Sequence, residues 1–538
     1  MAKKKQGGEL KSTPVPLQVQ KYRDLATLRE GSHFWNATHI QPFFPPIEVL
    51  FKTDELENVH EYGLKLHDQV TSITSKDTIM TASGSKNVHI KPTMILSPLK
   101  WMRGDYSTSL GLSTSKEQST RINTKLQSPH NAAYVGSLFA AAFSQTECVH
   151  FPKVYGVFSG ISNEHTINIS DDYEDLMDKP WFSQNIGQTF ELKLTDELGS
   201  SKFQHTRSAR PEMEIGADIT LEGVEEMEGI PSDQVDVPEM NAVFGSEDDI
   251  DDLASDSSSV STSYVFNIRS CDCSEMGDDE EDGSEDEGFA WATFKNVPVQ
   301  YTIMEKCEGT LYKLFKENTD TTKHFAWMSQ VIFALLFAQK TFGFVHNDLH
   351  SNNVMYVSTE LENLYYKVGE KTYKVPTYGY IIKLIDFERG TGSIRVVGMK
   401  EPKTFISDHF AINEEAGGQY NIDPFYLSKF PGIKPNPSFD LVRLATSLFW
   451  DLFPEGPNCK EYKEIPMFQG LMKWLSVDDN KNILFSSGNP RHERYHGFHL
   501  YKAIARFSKD AIPRREIELL PFTTNFVSFY ETCLCIDV

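Results

Sequence analysis

Short runs in which apolar and polar residues alternate dominate the chain from about residue 47 to residue 158, and this period of two predicts β-strands joined by polar turns. The stretch Asn131–Phe143 interrupts them with an Ala-rich, apolar composition that predicts a helix. Alternation returns at Val297–Phe315, where we expect a strand that a glycine separates from the start of a helix. These patterns together predict a mixed α/β lobe.

A helical period replaces this alternation further along the chain. The segment 320–343 begins with Asp and Thr capping residues, ends at Gly343 and repeats apolar side chains at helical spacing, namely Phe325, Met328, Ile332, Leu335 and Leu336. The sequence "LYYKVGEKTYKVPTYGYIIKLIDFERG" then predicts two strands around a Gly-Glu-Lys turn and an apolar strand that ends at Asp386. A second helix is predicted over "SFDLVRLATSLFWDLF", and we expect the last hundred residues to be mostly helical.

Length and charge divide the chain into regions. Its 538 residues suffice for two or three domain-sized units, and residues 244–288 carry sixteen Asp and Glu against Arg269 alone, a net −15 of the total −24. Such a segment buries too little apolar area to offset the entropy of ordering it. We expect a weakly ordered tail at 1–45, a first lobe at 46–304 that includes a largely disordered acidic insert at about 195–290, and a connector with a helical second lobe at 305–538.

Charge and hydropathy exclude several classes of protein. A net charge of −24 argues against a general nucleic-acid binder. The longest apolar run, Val331–Ala338, is well short of the roughly 18–20 residues that cross a bilayer, and no apolar stretch follows the basic N-terminus as in a secretory leader. We therefore expect a soluble, intracellular protein without membrane insertion, whose cysteines are reduced.

Polar residues are densest in "FGFVHNDLHSNNVMYV", which spans Phe342–Val357. His346 and His350 are four residues apart, the spacing of a zinc-binding helix face, but that site needs a glutamate directly after the first histidine, where this chain has Asn347. Both histidines also follow the helix stop at Gly343. The pattern therefore disfavours a metallohydrolase.

Phosphoryl transfer from ATP to an alcohol fits the same stretch better. That reaction needs a carboxylate beside the nucleophilic hydroxyl, oxygen ligands for Mg²⁺ and cations on the phosphates. Asp348 and Asn353 fit the His-x-Asp-x-x-x-x-Asn pattern of a catalytic loop, and Asp386 ends a hydrophobic strand, as the Asp of an Asp-Phe-Gly motif does. The alternative is an ordinary turn with buried polar side chains.

These motifs, in this order, resemble the protein-kinase-like superfamily and, more closely, the serine/threonine protein kinases of nucleocytoplasmic large DNA viruses. The resemblance is carried by "PVQYTIMEKCEGTLYKL", "MSQVIFALLFAQKTFGFVHNDLHSNNVMYV", "YKVPTYGYIIKLIDFERG", "QYNIDPF" and "PNPSFDLVRLATSLF". It implies an α+β, bilobal protein-kinase-like fold, with a β-rich N-lobe, a mainly helical C-lobe and a long acidic insert. It also implies ATP and Mg²⁺ as cofactors, protein substrates, and a place in the host cytoplasm or the virion.

The resemblance assigns catalytic roles residue by residue. Asp348 would orient the substrate hydroxyl or accept its proton. His350 would lie near the γ-phosphate, where many protein kinases carry a lysine. Asn353 and Asp386 would hold Mg²⁺, and Lys91 in "NVHIKP" would contact the α- and β-phosphates.

The resemblance also assigns supporting roles. The backbone of Met304, Glu305 and Cys307 would read the adenine edge as a hinge, with the Met304 side chain guarding the back pocket. His346 would brace the catalytic loop against the metal-binding strand. Asp440 would tie the backbone of that loop to the later helix; the alternative for Asp440 is a simple charge at a helix N-terminus. The other polar residues of the loop, Asn347 and Asn352, are interpreted as ordinary loop residues.

The chain departs from the family pattern at three points. Glu388 stands where Asp-Phe-Gly has its glycine, no Gly-x-Gly-x-x-Gly loop is present beyond the weak "ASGSKN" at Ala82–Asn87, and no Ala-Pro-Glu motif follows. The predicted helix Asn131–Phe143 also contains no acid to pair with Lys91, and Glu147 comes only after its end.

The sequence therefore predicts an ATP- and Mg²⁺-dependent kinase that phosphorylates Ser and Thr of proteins, and two alternatives stay open. A phosphotransferase for small alcohols, similar to aminoglycoside and choline kinases, is favoured by His350 and Glu388. A catalytically impaired pseudokinase scaffold is favoured by the missing helix acid and glycine-rich loop. The physiological substrate and the oligomeric state are not predicted.

Overall fold

The computed structural model describes residues 9–11, 16–106, 124–194, 269–270, 290–477, 481–486, 494–495, 497–525 and 533–536. Within them the chain belongs to the α+β class. The helices are α1 Leu25–Gly31, α2 Pro46–Leu50, α3 Pro98–Arg103, α4 Thr124–Gln127, α5 Ala132–Ser144, α6 Tyr173–Met177, α7 Pro180–Asn185, α8 Leu311–Glu317, α9 Thr321–Phe342, α10 Phe439–Leu452, α11 Pro466–Leu475, α12 Phe498–Phe507 and α13 Pro513–Glu516.

The strands fall into five sheets. In chain order they are β1 Glu9–Lys11, β2 Val19–Lys21, β3 Ala37–Gln41, β4 Tyr62–Leu64, β5 Val70–Ile73, β6 Thr78–Thr81, β7 Gly84–Met94, β8 Val154–Asn168, β9 Glu191–Leu194, β10 Arg269–Ser270, β11 Ala290–Glu305, β12 Gly309–Thr310, β13 Val354–Ser358, β14 Asn363–Val368, β15 Lys371–Pro376, β16 Tyr380–Leu384, β17 Thr391–Ile394, β18 Lys403–Ile406, β19 Thr523–Thr524 and β20 Cys533–Ile536.

Two long strands form the centre of the largest sheet. β8 and β11 pair antiparallel, and β7 flanks β11 with Lys91 opposite Thr302. The full order is β10-β8-β11-β7-β6-β5, with β3 added on β8 and β9 on β11. The register places Lys91 and Thr302 side by side in the sheet, since residues paired directly across strands share a face.

Helix α5 packs against β8 and β11 and is buried from Ala132 to Phe143. Its N-terminus is capped by Asn131, whose side-chain oxygen accepts the Ala133 N–H at 3.0 Å. A helix that is buried on every side has no face on which a charged side chain could stay hydrated. This burial is the physical reason that α5 consists of apolar and small residues.

The mainly helical part of the chain is organised around α9. This 22-residue helix begins at an Asp320 cap, which accepts the Thr322 N–H at 2.9 Å, and ends at Gly343 in the left-handed conformation with φ of 56°. It packs against β16 and α11, and α10 packs in turn against α11 and α12. None of the helices in the described ranges is long and apolar enough to cross a membrane.

A smaller sheet has the strand order β12-β13-β16. One polar motif precedes β13 and the other follows β16. β13 and β16 are antiparallel, and Val354 at the start of one lies opposite Leu384 at the end of the other. Asn353 directly precedes Val354, and Asp386 follows Leu384 by two residues. The pairing therefore brings the two motifs together although 33 residues separate them.

A further sheet has the order β1-β20-β14-β15-β19. The predicted hairpin around Gly-Glu-Lys is its β14–β15 pair, with Gly369 in the turn at φ of 58°. The short strands β1 and β20 pair in parallel with each other, and β20 pairs in parallel with β14. Residues 9–11 and 533–536 thereby extend the sheet that contains the β14–β15 hairpin.

The expected boundary of a weakly ordered tail at residue 45 is wrong. Strand β3 pairs with β8, and Leu28, Ile40 and Phe43 are almost fully buried. This segment packs because its apolar side chains cover the central sheet, a long-range contact without a local sequence signal. The expected acidic insert at about 195–290 lies almost entirely outside the described residues; of it, Arg269–Ser270 pairs with β8.

Two buried histidines make the stability of this fold depend on pH. Burial lowers the pKa of His150 and of His165 to about 4, although the Ile382 carbonyl at 2.7 Å from His150 Nδ1 acts in the opposite direction. In the unfolded chain a histidine has a pKa of about 6.5. The unfolded state therefore binds more protons between pH 4 and 6.5, and stability falls as the pH is lowered through that window.

We predict that at pH 5 each of these histidines lowers the free energy of unfolding by about 2 kcal/mol relative to pH 7.5. Denaturant unfolding at a series of pH values should show a shallower acid slope in a His165→Leu variant, because one protonation site of the unfolded state is lost. Exposed His67, changed to Leu, serves as the matched control. An equal slope in wild type and His165→Leu would contradict the assignment.

Candidate active site

The loop between α9 and β13 is held by a buried carboxylate. Asp440 in the first turn of α10 is 0% exposed, and its two oxygens accept the backbone N–H groups of His346 and Asn347, each at 2.9 Å. The Nε2 atom of His346 lies 2.8 Å from the carbonyl oxygen of Ile385. Asp440 and His346 therefore connect the loop to α10 and to the end of β16.

Two residues of the site have left-handed backbone. Asn347 has φ of 66° and Asp386 has φ of 65°. This conformation is unfavourable for side chains other than Gly and, less so, Asn or Asp, and it concentrates at functional sites. Both residues belong to the polar motifs. The surrounding hydrogen bonds therefore hold the backbone of these motifs in an unfavourable conformation.

Asn347 is an element of this support rather than an ordinary loop residue. Its side chain is completely buried, donates to the carbonyl oxygens of Val345 and Arg389 at 3.1 and 2.8 Å, and accepts from the Tyr420 hydroxyl at 2.6 Å. The interpretation from sequence was wrong because the partners at 389 and 420 come from distant segments. Asn352, by contrast, is half-buried.

The carboxylate of Asp348 is surrounded by cations and a phenol. The Tyr501 hydroxyl of α12 donates to Oδ1 at 2.7 Å, and an Arg389 nitrogen lies 3.6 Å from Oδ2. The Tyr501 ring in turn lies under the guanidinium groups of Arg389 and Arg443, 5.5 and 4.9 Å from its centroid. Sequence reasoning missed all three neighbours, although Arg389 and Arg443 lie in stretches that carry the resemblance.

These neighbours keep Asp348 ionised. Burial raises the pKa of its carboxyl, but Arg389, then His350 and Arg443, and the hydrogen bond from Tyr501 outweigh burial. The net pKa is well below the ordinary value of an aspartate. Asp348 is therefore a fixed anion across the physiological pH range.

The polar residues after Asp348 complete the loop. The Nδ2 atom of Asn353 donates to the Asp348 carbonyl at 3.0 Å, and the Ile385 N–H donates to the Asn353 carbonyl at 3.1 Å. The Nδ1 atom of His350 accepts the Asn352 N–H at 3.3 Å. Asn353 is thereby bonded both to the loop of Asp348 and to the strand end before Asp386.

Lys91 forms ion pairs with two carboxylates of one motif. Its Nζ atom is 2.8 Å from Asp386 Oδ1 and 2.7 Å from Glu388 Oε1, and the Thr93 hydroxyl donates to the same Glu388 oxygen at 2.8 Å. Burial lowers the pKa of Lys91 and raises that of Asp386, but their mutual attraction outweighs burial in both. Lys91 and Asp386 are therefore both charged.

A cleft of about 400 Å³ lies in front of this ion pair. It is lined by Lys91 and Thr302 from the central sheet, by one face of α5, and by residues 385–388. Met304 of β11 also lines it. The cleft thus joins the large sheet, α5 and the motif after β16.

The predicted hinge residues follow Met304 at the rim. The Glu305 carboxylate forms an ion pair of 2.9 Å with the buried Lys383 of β16, and its backbone N–H donates to the Lys153 carbonyl at 2.8 Å. Cys307 lies in the connector between β11 and β12 with a free thiol, whose pKa burial raises to about 12. The Glu305 side chain therefore serves the contact between β11 and β16.

The segment that follows the Asp386 motif is anchored on α5. Asp408 accepts the N–H of Ala132, the first residue of α5, at 3.0 Å. Lys125 lies 3.3 Å from Asp408 and 3.0 Å from Glu414. These contacts hold the helix against the cleft.

No protein-family model matches the chain, and no curated protein matches it. The function of the site is therefore inferred from its own geometry.

We predict that Asn347→Ala lowers the free energy of unfolding by roughly 2–4 kcal/mol, because it leaves the Arg389 carbonyl and the Tyr420 hydroxyl unpaired and places alanine at a left-handed position. Asn352→Ala is the matched control and should change it by about 0.5 kcal/mol or less. Denaturant unfolding measures both. Equal effects of the two substitutions would contradict the supporting role of Asn347.

Proposed function

We propose that the protein transfers the γ-phosphoryl group of ATP to an alcohol and that its substrates are Ser and Thr side chains of proteins. The observation that carries the proposal is that one cation and three metal- or proton-binding groups form one bonded set, of which Lys91 and Asp386 line the cleft. Lys91, Asp348, Asn353 and Asp386 come from three segments of the chain and are linked by the hydrogen bonds and ion pairs described above. This is the set of groups that phosphoryl transfer requires.

The architecture supports a bilobal, protein-kinase-like arrangement. The sheet of β5–β8 and β11 with helix α5 would be the N-lobe, and the helical part around α9 and α10 would be the C-lobe. The cleft between residues 385–388 and Thr302 would then be the nucleotide site. The adenine edge would face the backbone of Glu305 and Cys307, beyond Met304.

Asp348 has the properties of the residue that handles the substrate hydroxyl. In the transfer, the hydroxyl oxygen bonds to the γ-phosphorus, the bond from that phosphorus to the β–γ bridging oxygen breaks, and ADP leaves. The hydroxyl proton passes to the carboxylate of Asp348. Because Tyr501 and Arg389 hold this carboxylate fixed and ionised, it can orient the hydroxyl before transfer.

The oxygen donors beside it fit Mg²⁺, which prefers carboxylate and amide oxygens. Asp386 supplies a carboxylate. The amide nitrogen of Asn353 is already bound to the Asp348 carbonyl, so its Oδ1 is the atom left for the metal. When bound, Mg²⁺ would neutralise charge on the phosphates. Lys91 would contribute the cation for the α- and β-phosphates.

A second candidate function is phosphotransfer to a small alcohol. It is favoured by His350 in the loop and by Glu388 in the motif, both of which resemble small-molecule kinases. Incubation with labelled ATP and either a protein mixture or a metabolite extract separates the two functions. We expect label on protein; label confined to small molecules would overturn the protein substrate.

We predict that Asp348→Asn lowers the rate of phosphoryl transfer by about 10²–10⁴-fold, because the amide cannot accept the hydroxyl proton. The affinity for Mg-ATP should stay nearly unchanged. The exposed Asp54→Asn is the matched control and should keep the wild-type rate. An Asp348→Asn variant with more than a tenth of that rate would disprove the assignment.

We predict that Asp386→Ala weakens binding of Mg-ATP itself, because it removes both a metal ligand and a partner of Lys91. In a thermal-shift titration, wild type should gain about 2.7 kcal/mol of stability at a ligand concentration of a hundred times Kd. The gain should be much smaller in Asp386→Ala at the same concentration. Absence of a shift in wild type would favour the pseudokinase scaffold.

A further inference from the structure

Lys91 lacks an acidic partner on the helix that faces it. Helix α5 contributes Ala133, Gly136, Ser137 and Ala140 to the cleft, and none of these side chains is charged. The Ser137 hydroxyl lies 2.8 Å from that of Thr302, the residue paired with Lys91 across the strands. The adjacent position 136 therefore lies near the pair of Thr302 and Lys91, and both Gly136 and Lys91 line the cleft.

At that position the helix has no side chain. A Cβ atom on Gly136 would lie 2.8 Å from Glu388 Cγ and 3.2 Å from Glu388 Cα and N. Real Cβ atoms do not approach other atoms as closely as the first distance, so Gly136 and Glu388 occupy complementary space. Because glycine in a helix interior is unfavourable compared with alanine, its presence in α5 requires such a packing reason.

Glu388 occupies this space, and one oxygen of its carboxylate has two partners. Its Oε1 atom lies 2.7 Å from Lys91 Nζ and accepts the Thr93 hydroxyl at 2.8 Å. Asp386 also pairs with Lys91, but as the proposed metal ligand it must share its carboxylate with Mg²⁺. Glu388 is the acidic partner of Lys91 that the proposed metal site leaves free, and the Thr93 hydroxyl holds it in place.

We propose that Glu388 is the positioning residue for Lys91, in place of an acid on the facing helix, and that Gly136 is its structural complement. The proposal rests on the proposed phosphotransferase function. Since Glu388 follows Asp386 by two residues, the cation and the metal ligand are positioned by one short segment. The ion pair then does not depend on movement of α5, which the contact of Asp408 with Ala132 holds in place.

The test removes the acid at position 388 and introduces one on α5. Glu388→Gly should raise KM for Mg-ATP and lower kcat/KM by at least tenfold, because Lys91 loses its dedicated partner. Glu388→Gln should show a similar loss with the shape retained. The double variant Glu388→Gly, Gly136→Glu should recover at least tenfold in kcat/KM over Glu388→Gly alone.

Ala140→Glu, combined with Glu388→Gly, is the matched control for that rescue. Ala140 is one turn further on the same face of α5, so an acid there should not restore kcat/KM. Recovery in the Ala140 variant as well, or no recovery with Gly136→Glu in a folded protein, would overturn the proposal.

A stability cycle without nucleotide tests the packing independently of activity. Gly136→Glu should raise the unfolding equilibrium constant by a factor at least tenfold larger in wild type than in the Glu388→Gly background. If Gly136→Glu does not fold in wild type, Gly136→Ala provides the same comparison. Additive effects would overturn the pairing.

The two readouts separate this proposal from the function on which it rests. A coupled stability cycle in a protein that transfers no phosphate and binds no Mg-ATP would support the Gly136–Glu388 complement and reject the phosphotransferase function. An active wild type with additive stability effects and no rescue would support the phosphotransferase function and reject the Gly136–Glu388 complement.

Discussion

The site depends on one buried carboxylate. Both oxygens of Asp440 accept hydrogen bonds, from the backbone N–H groups of His346 and Asn347. These bonds are costly to break because the site is buried and the amides would be left without water or another partner. The two bonds hold Asn347 in its left-handed conformation, and this turn directs the next residue, Asp348, toward Tyr501 and Arg389. Without the anchor in α10, the Asp348 carboxylate would have no defined position.

A second constraint is that every buried charge at the cleft needs a counter-charge. Asp348 is balanced by Arg389, and Lys91 by Asp386 and Glu388. Helix α5 is enclosed on all sides and cannot supply an acid except toward the cleft, where Glu388 already fills the space. The acids that pair with Lys91 therefore come from the loop after β16.

Much of the local structure was predictable because its signals are local. The helix ending at Gly343, the hairpin around Gly-Glu-Lys and the strand before Asp386 follow from periodicity and turn residues within each segment. The packed segment 16–45 was not predictable in this way, because its apolar residues become informative only against β8 and the central sheet. Asn347 was misjudged for the same reason, as its partners are 42 and 73 residues away.

By itself the sequence determined the α+β class, the main elements, and the motif spacing that relates Asp348, Asn353 and Asp386, because hydrophobic period and residue spacing are properties of a continuous stretch. Only the tertiary structure decided which distant side chains come into contact. Tyr501 reaches Asp348 across 153 residues, and Glu388 reaches Thr93 across 295. Such contacts depend on the shape of the packed core. For Glu388 the relevant feature is the space at Gly136, and no local sequence pattern encodes that space.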